Sequence, residues 1–204
     1  MCNHYQTHPE DIPDWGEWAG FSVTREKLPM TGDIWPKRAG LVARIDVEAK
    51  RIIEPMIWGV PLTIPGKRPG TTLTKRVTNV RNLTSPFWRS MLTKPIQRCL
   101  VPFSRFAEPK PNAGREEVWF NLPAEPIGAF AGIWRECEEG RVFAFLTTVP
   151  NPLVAQFHPK AMPVILHRDQ YNQWLTADWA EAAALAEPFP SQLMAVVDSR
   201  LDRL

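Results

Sequence analysis

Hydrophobic and polar positions alternate with a period of two along much of this chain, the signature of half-buried strands. Residues 40–48 carry Leu41, Ala43, Ile45 and Val47 on one face and read as a strand. Residues 51–60 (RIIEPMIWGV) read as a second, with Pro55 marking an edge or a bulge. Residues 98–106, 116–122 and 193–197 read as further strands, and 162–166 as a short buried one. Residues 127–135 and 141–149 predict the two arms of a hairpin turning at Glu138-Glu139-Gly140.

Helical periodicity is confined to short stretches. Ser85 as N-cap and Pro86 in the first turn open a helix through Phe87 to Leu92. Residues 169–175 and the alanine-rich 177–186 read as two more helices. Residues 1–39 read as irregular, because Pro9, Pro13, Pro29 and Pro36 interrupt any long element. Residues 61–78, rich in Pro, Gly, Lys, Arg and Thr, read as a long loop. The sum is an α+β fold over residues 1–204: one domain, an antiparallel-rich β core (barrel-like or strongly curved sheets) and a few peripheral helices.

Composition supports a packed core. Of 204 residues, 44% are hydrophobic and 23% charged, which excludes a disordered chain. Twenty-one prolines argue for short elements and against a helical bundle. Nine tryptophans are more than a surface carries, so most belong to the core and one or two to a stacking platform. A net charge of +2 excludes a polybasic tail but allows a local basic groove. The first 25 residues do not have the pattern of a signal peptide, and no apolar run approaches membrane-spanning length. A soluble cytoplasmic monomer without membrane attachment is the expectation.

Three cysteines without C-x-x-C spacing argue against a disulfide framework and against a zinc site; separately, no metal and no organic cofactor are expected. Cys99 lies in an apolar run and reads as a core thiol. Cys137 sits among Glu136, Glu138 and Glu139, whose charges disfavour a thiolate. Cys2 differs in kind. Removal of Met1 would leave its thiol and a free α-amino group on adjacent carbons, a 1,2-aminothiol that closes a thiazolidine ring on an aldehyde.

Four segments concentrate polar residues beside predicted strand ends: Met1-Cys2-Asn3-His4-Tyr5, Thr78-Asn79-Val80-Arg81-Asn82, residues 98–109, and residues 157–166. With Trp58-Gly59-Val60-Pro61, they resemble, in order, the motifs of the SOS response-associated peptidase (SRAP) family, which includes abasic-site sensors that crosslink themselves to single-stranded DNA. The likeness spans residues 1 to roughly 175. Asn79-Val80-Arg81-Asn82-Leu83-Thr84 stands where the family has Asn-Ala-Arg-x-Glu-Thr. Phe106-Ala107-Glu108-Pro109 stands for Phe-x-Glu-Trp, and His158 to Leu166 for His-x-Arg-Met-Pro with one extra residue. Asn3 and His4 replace the family's Gly and Arg, Leu83 its Glu, Pro109 its Trp, and Lys160-Ala161 its Arg.

The resemblance implies roles. Cys2 would be the nucleophile that bonds C1 of a ring-opened abasic sugar. Glu108 would act as general acid and base. His158 would shuttle a proton or hold the sugar hydroxyl. Asn79 would orient Cys2 or the sugar. Arg81 and Lys160 would grip phosphates, His4 would contact one in place of the family's Arg, Thr147 would donate to the DNA backbone, and Trp58 would stack on a base. Lys67, Arg68, Lys75 and Arg76 would extend the basic track. The expected partner is single-stranded DNA containing abasic sites. Two other readings use the same residues: an N-terminal-cysteine hydrolase of amides, and a single-strand binding module that no longer reacts.

Overall fold

The computed structural model describes residues 2–23 and 32–197. Met1 and the predicted breaker Pro29 lie outside them. The chain opens with β1 (His4–Gln6), α1 (Ile12–Trp18), β2 (Ser22–Val23) and β3 (Asp33–Ile34), so the segment expected to be irregular is built of short elements. The prolines limit their length without preventing them: Pro13 lies in the first turn of α1, where its missing N–H costs no helical bond. Next come β4 (Ala39–Ile45), β5 (Arg51–Trp58), β6 (Val60–Pro65), β7 (Thr72–Val77), β8 (Asn79–Val80) and α2 (Pro86–Thr93). Ser85 takes the N-cap position of α2, but its side chain makes no capping bond. The remainder is β9 (Arg98–Phe103), β10 (Arg105–Pro109), β11 (Glu117–Asn121), β12 (Gly128–Cys137), β13 (Gly140–Thr148), α3 (Pro152–Ala155), β14 (Met162–Pro163), β15 (Ile165–Leu166), α4 (Tyr171–Thr176), α5 (Trp179–Ala183) and β16 (Ala195–Val197).

Five strands close on themselves. The order β13-β12-β9-β4-β5 is antiparallel throughout, and a parallel pairing of β5 with β13 (Ile57 with Val142, Trp58 with Phe143) completes the ring. Pro55 fits this ring because β2 pairs β5 at Ile52 and Ile53 and β13 pairs it at Ile57 and Trp58. The proline falls in the gap between the two, where no ladder bond is lost. A second sheet, β3-β1-β10-β11-β16, is wholly antiparallel.

Side-chain alternation sorts the core into two clusters. Leu41, Ala43, Leu100, Ala129, Ala131, Val142 and Ala144 join Trp15 of α1, Trp88 and Met91 of α2 and Trp174 of α4; this is the barrel's outer face under its helices. The opposite set, Val42, Trp58, Cys99, Val101, Phe130, Phe143 and Phe145, fills the interior and meets Tyr5, Phe106 and Phe120 of the second sheet. Phe103 stacks on Phe130 at 4.0 Å, and Trp58 on Phe145 at 5.2 Å. Gly40 admits the Tyr5 ring: a Cβ there would collide with the Tyr5 hydroxyl.

Three predicted elements are corrected. Residues 98–106 are two strands, since the chain leaves the barrel at Ser104 and enters the second sheet. Ser104 N–H donates to Gln6 O (2.7 Å), and its Oγ accepts from His8 N–H (2.7 Å), which pins the crossing to the N-terminal segment. Residues 61–78 are a two-stranded ribbon, β6 with β7 in the register Val60–Val77 to Pro65–Thr72, mostly exposed and so without hydrophobic alternation. Residues 162–166 split, β14 pairing β13 and β15 pairing β12. The hairpin of β12 and β13 forms as predicted, with Cys137 opposite Gly140 across Glu138-Glu139.

Candidate active site

The crossing at Ser104 decides where the chemistry lies. It brings β10 alongside β1 with His4 opposite Ala107 and Tyr5 opposite Phe106, so the end of β10 that holds Glu108 adjoins the chain segment of Cys2. Cys2 is fully buried, and its thiol donates to the His4 carbonyl at 3.4 Å. Burial, and after it the Glu108 carboxylate, push that thiol well above its ordinary pKa. The sulfur therefore rests protonated and needs a neighbouring base in order to attack.

Glu108 is fully buried as well, and burial pushes its carboxyl up to about 7, with Glu117 acting in the same direction. A carboxyl poised there exchanges protons in either direction near neutral pH. One of its oxygens lies 3.8 Å from His158 Nδ1, too far for a direct hydrogen bond. His158 Nδ1 instead donates to Ala161 O at 2.7 Å, which leaves the lone pair of the neutral ring on Nε2. Burial lowers the His158 pKa, and the nearby Lys160 and Arg81 charges add to this, so the neutral ring prevails at pH 7. The short helix α3 delivers this histidine. Asn151 caps it through its side chain, accepting from Leu153 and Val154 N–H, and His158 N–H closes back on Val154 O at 2.8 Å.

Asn79 enters from β8, which pairs with β13 at Phe145 and Leu146. Its Nδ2 donates to the Cys2 carbonyl at 3.0 Å and to Thr78 Oγ1 at 2.8 Å, tying the N-terminal residue to the barrel rim. Cys2, Asn79, Glu108 and His158 thus converge from four separate segments of the chain. Arg81 and Lys160 are exposed beside them, the Arg81 guanidinium donating to the Lys160 carbonyl.

Three expected DNA contacts are placed differently. Trp58 is completely buried, stacked between rings of the barrel interior, with its indole N–H donating to Thr78 O at 3.0 Å. It offers no face to a base. Thr147 is buried under β14, its hydroxyl 3.5 Å from Val80 O. His4 is clasped by carboxylates: Nδ1 meets Glu117 Oε2 and Nε2 meets Asp33 Oδ1, both at 2.8 Å, and the ring stacks on Trp35 at 3.7 Å. A ring engaged at both nitrogens by carboxylates has no donor left for a phosphate. Burial would raise the Asp33 carboxyl, but bonds from Gln6 and His4, with the His4 and Arg105 charges, outweigh it and hold the group below its usual range.

Glu117, Asp33 and Trp35 were not singled out by sequence reasoning. Each acts through a partner distant in sequence, and no local pattern marks it. Cys99 is buried, and burial pushes its thiol up, as a core position requires. Among the described residues no cluster of three or more His, Cys, Asp or Glu could hold a metal ion, and no helix is long and apolar enough to cross a membrane.

The same fold occurs in solved structures. A protein from Bordetella bronchiseptica superposes with a TM-score of 0.75 at 24% identity, covering 97% of this chain and 100% of that one. One from Bacteroides thetaiotaomicron gives 0.75 at 21% identity, with 97% and 93% covered. A phage-related protein from Bordetella bronchiseptica gives 0.67 at 18%, with 98% and 93% covered. No curated protein sequence matches significantly. Residues 1–200 match the family described as SOS response associated peptidase, SRAP, and the chain belongs to that family.

Proposed function

We propose that this protein captures the aldehyde of an abasic site in single-stranded DNA through Cys2, once Met1 has been removed. One observation carries the reading: a fully buried carboxyl poised at about 7 lies 3.8 Å from a neutral histidine and near enough to the Cys2 thiol for its charge to raise that thiol's pKa. The Cys2 amine adds to C1 of the ring-opened sugar, and loss of water gives an imine. The thiol then adds to the imine carbon, its proton passing to the nitrogen, and the thiazolidine closes with one water released overall. Glu108 takes the thiol proton and returns it, while His158 Nε2 accepts from the sugar hydroxyl as the ring opens. Asn79 holds the Cys2 carbonyl so that amine and thiol face one carbon. Arg81 and Lys160, exposed beside His158, suit flanking phosphates. The family's description as a peptidase fits release of Met1, an amide hydrolysis that exposes the amine.

The test is a denaturing gel of the mature protein with single-stranded DNA carrying one abasic site. A retarded band, abolished by Cys2→Ser, is the expected result. Salt-sensitive reversible binding without a band would favour the non-reacting module. Turnover of amides without DNA would favour the hydrolase. Intact mass showing Met1 retained would rule out ring closure.

A further inference from the structure

With Trp58 enclosed in the barrel, an aromatic that reaches solvent close to the N-terminal strand is Trp35, directly after β3 and 45% exposed. Its inner face lies on the His4 ring, centroids 3.7 Å apart and planes 22° apart, so the exposure falls on the opposite face and edge. The support beneath it is rigid. His4 is held at both nitrogens by Asp33 and Glu117, and its edge rests on Trp119 at 4.5 Å. The same residue's carbonyl accepts the Cys2 thiol, so the stack stands within two residues of the nucleophile.

The turn that follows is equally fixed. Arg38 N–H donates to Trp35 O at 3.0 Å across Pro36-Lys37, and Lys37 N–H to Trp58 O at 2.8 Å. Trp58 N–H returns to Arg38 O at 2.9 Å. Lys37 has φ +70°, a left-handed conformation unfavourable for a side chain bearing a Cβ, and three backbone bonds hold it there. The result is a partly exposed indole followed on the same turn by two exposed cations, Lys37 and Arg38. A protein partner would call for a contiguous apolar patch, whereas an isolated flat ring beside paired cations matches a nucleotide, with a base for the ring and phosphates for the charges.

We propose that Trp35 stacks on the nucleobase next to the captured sugar, while Lys37 and Arg38 contact the phosphates flanking it. The proposal rests on the single-stranded DNA reading above but not on the covalent step. It is tested with a strand holding a tetrahydrofuran abasic analogue, which has no aldehyde and cannot crosslink, and with strands in which either neighbouring nucleotide is also made baseless. Affinities are read by fluorescence anisotropy for the wild type, Trp35→Ala and Trp35→Phe. Trp35→Ala should bind the first strand ~5- to 100-fold more weakly. Removing one neighbouring base should weaken the wild type and Trp35→Phe but leave Trp35→Ala unchanged. Equal affinity of Trp35→Ala and wild type, or a base-removal penalty that persists in Trp35→Ala, would overturn the proposal. Should Trp35→Ala fail to fold, Trp35→Phe and the baseless strands decide: no penalty for either baseless neighbour sinks the idea. Stacking without any crosslink to a natural abasic strand would leave Trp35 standing and remove the covalent reading. Failure of the wild type to bind any strand would overturn both.

Discussion

At the scale of single residues, Glu108 has the most to say about pH. Its carboxyl lies at about 7 in the fold against 4.5 in the unfolded chain, so the folded protein holds this proton more tightly. The stability it contributes is complete below 4.5 and is lost as pH rises through about 7. Glu108→Gln removes that loss. Relative to wild type it should gain stability between pH 5 and pH 8, on the order of 3 kcal/mol at the upper end, read by urea denaturation at both pH values. The same substitution should slow capture of an abasic strand by ~10²–10⁴-fold and abolish a rate inflection near neutral pH, followed by quenched time courses on denaturing gels. Cys2 and Glu108 were legible in the sequence because their neighbours in the chain carry the motif. The clasp on His4 was not: Asp33 and Glu117 stand 29 and 113 positions away from it in sequence, and strand pairing alone joins them.

Among the elements, β8 and the β6–β7 ribbon do different work. β8 is only two residues long, yet it carries the donor that holds the Cys2 carbonyl. Asn79→Ala leaves that buried carbonyl without this donor. The expected cost is about 1–3 kcal/mol in chemical denaturation, with slower capture and little change in affinity for an unreactive strand. The ribbon projects Lys67, Arg68 and Lys75 into solvent. If they track the DNA backbone, changing all three to Ala should reduce the slope of log affinity against log salt by up to about 2, roughly 0.7 per lost phosphate contact. An unchanged slope would assign them to the solvated surface. This ribbon read as a loop because exposed strands have no buried face to impose alternation. Residues 98–106 read as one strand because periodicity registers extended backbone without registering the sheet to which it belongs.

For the molecule as a whole, closure of the barrel matters most. The parallel contact of β5 with β13 joins the two ends of the antiparallel run β13-β12-β9-β4-β5, which would otherwise leave two edges. Trp58 stands at that seam, stacked toward Phe143 and Phe145. Trp58→Ala should cost about 3–5 kcal/mol, measured as a lower urea midpoint, and should disturb Asn79 through the lost bond to Thr78 O. Gly40→Ala should cost about 1–3 kcal/mol for the opposite reason, since a methyl group there displaces Tyr5 from the interior.

Strand-forming alternation, the β12–β13 hairpin, the helices α2, α4 and α5 and the ordered motifs around Cys2, Asn79, Glu108 and His158 were written in the linear order of residues, whereas α1 and α3 were not. The former depend on neighbours within a few positions. Which strands pair, where the chain passes between sheets, and whether a tryptophan faces a core or a solvent are set by contacts tens of residues apart. That is why Trp58, which its motif put forward as the stacking ring, lies enclosed while Trp35, which no local pattern marked, reaches solvent. The fold alone chose between them, by enclosing one in a closed barrel and leaving the other on a pinned turn close to the N-terminal strand.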